Sequence, residues 1–170
     1  MRSTPLLPKR KLGWLNSGSF LASSATQTFN AGIKITGGNF VCTTGDLDIN
    51  GGVLLTAGRF TAPAAQMSIS RNFLHSGGAF VANGGNILLD GSTDQLLDFD
   101  GDPVYQLTSI STNTIYLFSS SMTVTNRLTI HSGYFALNCQ TWDMTGATLI
   151  NNSYVALFGN ETITGLSAND

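Results

Sequence analysis

A Gly-x-Phe tripeptide recurs every twenty residues in the first half of this chain, at positions 18–20, 38–40, 58–60 and 78–80. Apolar residues keep the same period seven and nine positions after each phenylalanine, as in Leu47 and Ile49, Met67 and Ile69, and Ile87 and Leu89. Repetition at a short fixed period is typical of proteins that stack one structural unit on the next. Twenty residues are too few for two helices, and apolar pairs separated by two residues follow the alternation of a β-strand. The pattern therefore predicts an all-β fold, a single-stranded right-handed parallel β-helix (β-solenoid) with about three short strands in each coil of about 20 residues.

The second half of the chain carries the same period in a different phase. Two of its columns are Ile115, Phe135 and Val155, and Leu117, Leu137 and Leu157. The spacing from Phe80 to Ile87 equals the spacing from Phe135 to Trp142, which suggests that these positions correspond. We therefore predict a solenoid over 13–170 with about seven coils. Its regular coils are expected at 13–92 and 108–167, separated by an irregular Asp-rich excursion at 93–107.

The phenylalanines of the repeat are the predicted centre of the core. We expect their rings to point into one continuous interior and to form an offset stack along the axis: Phe20, Phe40, Phe60, Phe80 and Phe135. The glycine two residues before each ring supplies a sharp corner, since glycine adopts backbone conformations that are closed to other residues.

Charged side chains make up only 11% of the chain, and they are unevenly placed. Arg2, Lys9, Arg10 and Lys11 supply half of the eight basic residues, so residues 1–12 are predicted to be an extended basic arm. The rest of the chain has four basic residues against ten acidic ones, which argues against nucleic-acid binding by its body. No run of 18 apolar residues is present, so we expect no membrane span.

The two cysteines, Cys42 and Cys139, are too few for a disulfide framework. In the predicted register they lie four coils apart, roughly 19 Å along the axis at strand spacing. This distance is far beyond that of a disulfide. We interpret both as packing residues or free thiols.

The sharpest candidate for a chemical site is a run of carboxylates in the excursion. Half of the acidic residues fall within thirteen positions: Asp90, Asp94, Asp98, Asp100 and Asp102. The last three alternate along the chain around Gly101, and oxygen-rich loops of this kind can wrap Ca²⁺, which takes six to eight oxygen ligands. Asp98, Asp100 and Asp102 are therefore candidate calcium ligands, with an exposed polar loop as the alternative interpretation. The loop is not a complete EF-hand, because no glutamate closes it.

Other side chains offer little for catalysis. His75 falls in an inward column after Ile35 and Leu55 and is interpreted as a core or edge histidine. His131 follows Ile130 and points outward, with no second histidine or cysteine nearby for metal binding. Tyr134 and Tyr154 are twenty residues apart, and exposed aromatic rings laddered in this way can stack on sugar rings. A glycan-binding strip on this face is therefore one hypothesis, and single exposed aromatics of no function are the other.

The repeat style resembles that of bacterial extracellular parallel β-helix proteins, namely repetitive surface adhesins, autotransporter passengers and haemagglutinin-like filaments. The resemblance is carried by GGNFVCTTGDLDINGGVLLTAGRF at 37–60 and SMTVTNRLTIHSGYFALNCQTWDMTGATL at 121–149. It covers nearly all of the chain outside 1–12 and 90–107. Phage tail spikes and polysaccharide-cleaving enzymes use similar coils, so the style implies a fold without fixing a function.

The resemblance implies a non-enzymatic structural or adhesive module, located outside cells or on the cell surface. Two alternatives remain open: a phage tail-fibre or spike module in a virion, and a carbohydrate-binding or polysaccharide-cleaving domain that uses the Asp-rich loop. The expected partners are surface glycans, further copies of the chain joined end to end into a filament, or flanking regions of a longer chain. An end coil without a cap presents unpaired backbone groups that recruit other strands.

Overall fold

The structure is a computed structural model that describes residues 13–166, so the predicted basic arm at 1–12 lies outside the described residues. The described chain contains strands and turns and no helix. It therefore has no helix long and apolar enough to cross a membrane. Its strands are β1 (Gly13–Leu15), β2 (Ser19–Leu21), β3 (Gln27–Phe29), β4 (Ile33–Val41), β5 (Leu47–Ile49), β6 (Val53–Thr61), β7 (Gln66–Ile69), β8 (Phe73–His75), β9 (Ala79–Val81), β10 (Asn86–Leu89), β11 (Gln95–Asp98), β12 (Val104–Ser109), β13 (Thr114–Leu117), β14 (Met122–Ile130), β15 (Tyr134–Ala136), β16 (Trp142–Asp143), β17 (Thr148–Asn151), β18 (Tyr154–Ala156) and β19 (Ile163–Thr164).

The strands stack in parallel, and each coil contributes up to three strand segments, which define three faces of a β-solenoid. The first face contains one strand from each of about eight coils, in the order β1-β4-β6-β8-β11-β13-β15-β18. The second face contains β2, the ends of β4 and β6, β9, the starts of β12 and β14, β16 and β19. The third face contains β3, β5, β7, β10, the ends of β12 and β14, and β17. Parallel pairing at a spacing of about twenty residues confirms the predicted fold class.

The two halves of the solenoid differ in which corner is a continuous strand. In β4 and β6, nine residues run from the first face onto the second, and the pairing register shifts after Ile35. In β14, nine residues run instead from the second face onto the third, where they pair with β16 and then with β17. The repeat of the second half is therefore offset in the sequence because its turn residues lie at different corners. The stack of coils itself continues without a break.

The predicted irregular excursion at 93–107 is wrong, because this stretch forms most of a coil. Its first strand, β11, pairs with β8 on one side and β13 on the other. Its next strand, β12, pairs with β10 and β14. The inward positions hold Gln95, Leu97 and Phe99, each no more than 1% exposed, so a strand alternation is present with a polar residue at its start. The solenoid consequently has about eight coils, where the sequence predicted seven.

The predicted correspondence between Phe80 and Phe135 is also wrong. Phe135 lies on the first face, where it pairs with Ile115 and Val155. Ile87 pairs with Leu107 on the third face, while Trp142 pairs with Met122 on the second. Equal spacing along the sequence misled here, because the corners of the two halves differ in length.

The core is a continuous apolar interior that runs through the described coils. Phe40, Phe60, Phe80 and Phe135 are buried, and Phe20 in the first coil is partly buried against them, which confirms their inward direction. The rings do not form a uniform offset stack. Phe20 and Phe40 are stacked at 4.6 Å, but Phe60 meets its neighbours Phe40 and Phe80 edge to face at 5.2 and 5.7 Å. Edge-to-face contacts are a preferred geometry for aromatic pairs and fill the gap between coils.

The glycine before each phenylalanine is required by close approach of the backbone. Gly38 has φ +73°, and a Cβ on it would lie 2.4 Å from the carbonyl oxygen of Gly18. Gly58 has φ +83° and stands in the same relation to Gly38. No other residue fits these positions, because successive coils contact each other through this corner. The Gly-x-Phe repeat is thus a steric signature of the stack.

Candidate functional site: the carboxylate corner and the open surfaces

The predicted calcium ligands lie at the corner of the fifth coil, between β11 and β12. Asp98 ends β11 and is only 6% exposed. Its carboxylate accepts hydrogen bonds from the hydroxyl groups of Ser119 and Ser120 on the next coil. It also accepts one from the backbone N–H of Asp100, at 3.0 Å. Asp98 therefore joins two coils, and its oxygen atoms already have donors.

These donors set the protonation of the Asp98 carboxyl group. Burial favours the neutral acid, and alone it would raise the pKa. The hydrogen bonds from Ser119, Ser120 and the Asp100 N–H, together with nearby His75, outweigh burial and hold the pKa of Asp98 below its ordinary value. Asp98 is consequently ionised at neutral pH in a largely buried position.

Asp102 replaces a missing backbone acceptor. Strand β9 pairs with β6 and has no strand partner on its other side in the described chain. The carboxylate of Asp102 accepts the hydrogen bond from the Phe80 backbone N–H at 2.6 Å. The same oxygen lies 3.7 Å from Nδ1 of His75. Asp102 thus closes the ladder where the corner of the fifth coil interrupts it.

His75 is a core histidine, as predicted. It is 2% exposed, and its Nδ1 lies 2.9 Å from the carbonyl oxygen of Phe99, so Nδ1–H is the donor in the neutral ring. Its Nε2 is buried and has no hydrogen-bond partner within the described structure. The ring is held by the core and by one backbone acceptor, which is the arrangement of a structural side chain.

The three predicted calcium ligands are not brought together as a metal site. Asp100 is exposed, with φ +52°, and its side chain takes no part in the bonds of Asp98 or Asp102. Within residues 13–166, no group of three histidine, cysteine or acidic side chains is placed to hold a metal ion. A cation at this corner would have to displace the serine and backbone donors. Calcium binding therefore stays a prediction from the sequence that this geometry does not favour.

The predicted tyrosine ladder is present on the first face. Tyr134 and Tyr154 are 50% and 63% exposed, and their rings stack at 5.1 Å with an interplanar angle of 20°. Tyr116 pairs with Ala136 and so lies outside this ladder. Because the two rings face each other, they present edges to solvent. A sugar ring needs an open aromatic face, and the stacked geometry offers none between the two tyrosines.

A surface groove of about 460 Å³ was missed by the sequence reasoning. It extends from the second to the fifth coil across the corner between the third and first faces. Its polar lining comes from Lys34, Arg71, Asn72 and Asp94. A signal was available, because Lys34 and Arg71 are two of only four basic residues after position 12. Nothing in the repeat indicated that they share one concave surface.

Both ends of the described solenoid are open. At one end, β1 and β2 pair only with β4 among the described strands, and the core rings of Phe20 and Phe29 are only partly buried. At the other end, β18 pairs only with β15 among the described strands. Large apolar side chains are exposed at both ends: Trp14 and Leu21 in the first coil, and Tyr154, Leu157, Phe158 and Leu166 in the last.

The stacked parallel coils place the chain in the β-solenoid class. Comparison with models of protein families found no match. Comparisons with curated proteins and with solved structures also found none.

Proposed function

We propose that this chain is a non-enzymatic structural module that joins end to end with further copies of itself, in a filament outside the cell or at its surface. The observation that carries the proposal is the pair of open ends, where strand edges and apolar side chains lie exposed together. An unpaired strand edge is a template for another strand, and natural solenoids cover such edges. A second copy offers a cover of matching shape.

The end at the first coil has an apolar depression. A cavity of about 130 Å³ is lined by Gly13, Trp14, Leu15, Phe20 and the rings of Phe29 and Phe40. Trp14 is 67% exposed at its rim. At each inner coil, the core side chains of the preceding coil fill the corresponding space. Within residues 13–166, the first coil therefore has no apolar layer on its outer side, unlike the inner coils.

The end at the last coil supplies apolar groups for such a layer. Leu157 and Phe158 follow β18 directly and are 56% and 62% exposed. Leu157 is one coil beyond the buried Leu137, and their spacing continues the first-face column that includes Ile33 and Val53. In a continued stack, Gly13 of the next copy would occupy the following position of this column, and Trp14 would lie beside Phe158. Burial of these side chains favours association at about 25 cal/mol for each Å² of apolar surface.

Charge does not oppose contact between the first coil of one copy and the last coil of another. Residues 13–32 contain no charged residue, and residues 154–166 contain only Glu161. The carboxylate of Glu161 is already engaged by the backbone N–H groups of Cys139, Phe158 and Gly159. Since the two ends are different surfaces, the contact is head to tail, and such a contact grows without closing unless rotation forms a ring.

The test measures assembly of the full chain by analytical ultracentrifugation over a range of concentrations, with electron micrographs of the same samples. The wild type should form linear oligomers that lengthen with concentration. Trp14→Glu blocks one end and Phe158→Glu the other, so each variant alone should remain monomeric. An equimolar mixture of the two should form dimers, because each variant keeps the end that the other has lost.

Phe118→Glu is the matched control, since Phe118 is 48% exposed in the sixth coil, away from both ends. This variant should assemble like the wild type. A wild-type chain that stays monomeric at every concentration contradicts the proposal, as does equal disruption by the control. A closed trimer that does not grow would instead favour the phage fibre or spike alternative.

A further inference from the structure

The groove between the third and first faces brings two basic side chains, Lys34 and Arg71, onto one concave surface. It owes its depth to a change in the corner. Three residues separate β5 from β6, whereas five separate β10 from β11. The longer corner places Asp94 as a wall at one end of the groove. Gly52, which carries no side chain, also lines the groove.

Within residues 13–166, the two cations in this groove have no carboxylate partner. Lys34 lies with its Nζ 5.6 Å above the ring centre of Trp14. Arg71 donates from Nη1 to the hydroxyl of Thr93 at 3.4 Å, a long hydrogen bond that leaves most of its guanidinium donors free. Among the described residues, the close contact between a carboxylate and a side-chain nitrogen joins Asp102 and His75 at 3.7 Å, and it involves neither cation. Two positive charges thus face the groove on a body in which acidic residues outnumber basic ones by ten to four.

The other polar groups are fixed in position. Asn72 accepts the backbone N–H of Leu96 through Oδ1 at 2.9 Å, which leaves its Nδ2 donors without a partner in the described chain. Asp94 accepts the backbone N–H of Thr114 at 3.0 Å, so one of its oxygens is engaged. The groove therefore presents mainly donors, and its complement is an anionic ligand rich in acceptors.

The floor of the groove is apolar and has no free strand edge. Leu54 and Leu74 pair on neighbouring strands and are half-buried. The strands that carry them are paired on both sides, by β4, β8 and β11. An extended peptide cannot add to the sheet at such a position, because strand addition needs unpaired backbone groups. A sugar ring needs none, and its C–H face packs against aliphatic side chains.

We infer that this groove is a binding site for a carboxylate-bearing saccharide, with Lys34 and Arg71 engaging the carboxylates and Leu54 and Leu74 supporting the rings. The column of Lys34, Leu54 and Leu74 spans two strand spacings, about 10 Å along the axis. The ligand lies along this axis, so the site reads a segment of an acidic polysaccharide. The site does not depend on end-to-end assembly.

The test is titration of the full chain with a trigalacturonate probe, followed by calorimetry and by tryptophan fluorescence. Trp14 is exposed beside Lys34 but also lies at the end proposed to contact a second copy, so the heat of binding is the readout of the groove, and fluorescence is compared with that of Phe158→Glu, in which the contact is blocked. The wild type should bind, and affinity should fall as salt rises. Arg71→Gln and Lys34→Gln should each weaken binding about tenfold or more, since each removes a hydrogen bond to a charged group.

Arg127→Gln is the matched control, because Arg127 lies outside the groove and donates to Gln106. It should bind like the wild type. The inference is overturned if trigalacturonate fails to bind, if maltotriose, a neutral trisaccharide, binds equally well, or if the control loses as much affinity as the groove variants. Tighter binding of a hexaglutamate peptide would show that the groove takes an acidic peptide in place of a saccharide.

Discussion

His75 and Phe99 are 24 residues apart, yet Nδ1 of the histidine lies 2.9 Å from the carbonyl oxygen of the phenylalanine. On the coils before them, first-face partners such as Val53 and Phe73 are separated by twenty residues. The four additional residues lie at the step from the fourth to the fifth coil. At this step the corner pattern of the first half changes to that of the second. The carboxylates of Asp98 and Asp102, with their hydrogen bonds to neighbouring coils, hold the step together.

Phe60→Ala tests the continuous core. The ring is fully buried and contacts Phe40, Phe73 and Phe80, so its loss leaves a cavity between three coils. We expect the free energy of unfolding to fall by about 3–5 kcal/mol in urea titrations. Phe118→Ala is the control, because Phe118 is 48% exposed and lies away from both ends, and it should cost clearly less, about 1 kcal/mol. Equal effects of the two substitutions would contradict the buried ring.

A pair of glycine substitutions separates steric clash from backbone strain. Gly58 and Gly84 both have positive φ, of +83° and +75°. A Cβ on Gly58 would lie 2.4 Å from the Gly38 carbonyl oxygen, whereas a Cβ on Gly84 meets nothing within 4 Å. Gly84→Ala should cost about 1–2 kcal/mol for the strained backbone alone. Gly58→Ala should cost about 2 kcal/mol more, since the coils must also move apart. Thermal or urea unfolding of both variants measures the difference, and equal costs would argue against close contact at the Gly-x-Phe corner.

Glu161 should make the last coil sensitive to acid. Backbone N–H groups, that of Phe158 foremost, bind its carboxylate and lower its pKa from an ordinary value of 4.5 to about 2. A lowered pKa contributes stability that is fully present above about pH 4.5 and is lost as the pH falls toward 2. Titration by NMR should give the low pKa directly, with the amide signals of Phe158 and Gly159 moving at the same pH. Glu161→Gln should abolish this step. A carboxyl group that titrates near its ordinary value would contradict the hydrogen bonds.

The two thiols should differ in reactivity. Cys42 is buried, and burial raises its pKa to about 12, while Cys139 is exposed. Because the thiolate is the reactive form, a thiol reagent should label the native protein at Cys139 and leave Cys42 unlabelled until the chain unfolds. Cys139→Ser should therefore remove rapid labelling. Two rapidly reacting thiols in the native protein would contradict the burial of Cys42.

Calcium should leave the stability of the protein unchanged. The oxygen atoms of Asp98 and Asp102 already accept hydrogen bonds from Ser119, Ser120 and the Phe80 N–H, and a cation would have to displace them. We expect no change in the melting temperature at millimolar calcium, measured by calorimetry. A rise in Tm that disappears in Asp100→Ala would show that the three aspartates bind the ion after all, since ligand binding to the native state raises its stability.

The repeating architecture could be predicted because each apolar column marks the same position on successive coils. The details depend on corner lengths, which the period does not reveal. Ile110, Ile130 and Ile150 are spaced by twenty in the sequence, yet only Ile130 is fully buried, while the other two are 46% and 39% exposed. On this face the strand pairing shifts so that Ser109 lies opposite Ile130, and one isoleucine of the three keeps the inward position.

The fifth coil was hidden for a similar reason. Its first inward residue is Gln95, which is 0% exposed and donates from Nε2 to the carbonyl oxygens of Ile69 and Arg71. A buried glutamine with both donors satisfied is compatible with a core, but in the sequence it reads as a polar interruption. The same limit applies to the groove, since Asp94 lines it from the corner between β10 and β11, whose extra length the repeat does not indicate.

The uniform first-face pairing of Ile33, Val53 and Phe73 has a consequence for the evolution and engineering of the chain. Duplicating residues 53–72 preserves every partner above and below the new coil and lengthens the solenoid by one strand spacing, about 4.8 Å. Duplicating 83–102 would copy the step between the two corner patterns and place two incompatible corners in contact. The solenoid can therefore be lengthened by whole coils on the N-terminal side of the junction between the two corner patterns, while the junction itself stays single.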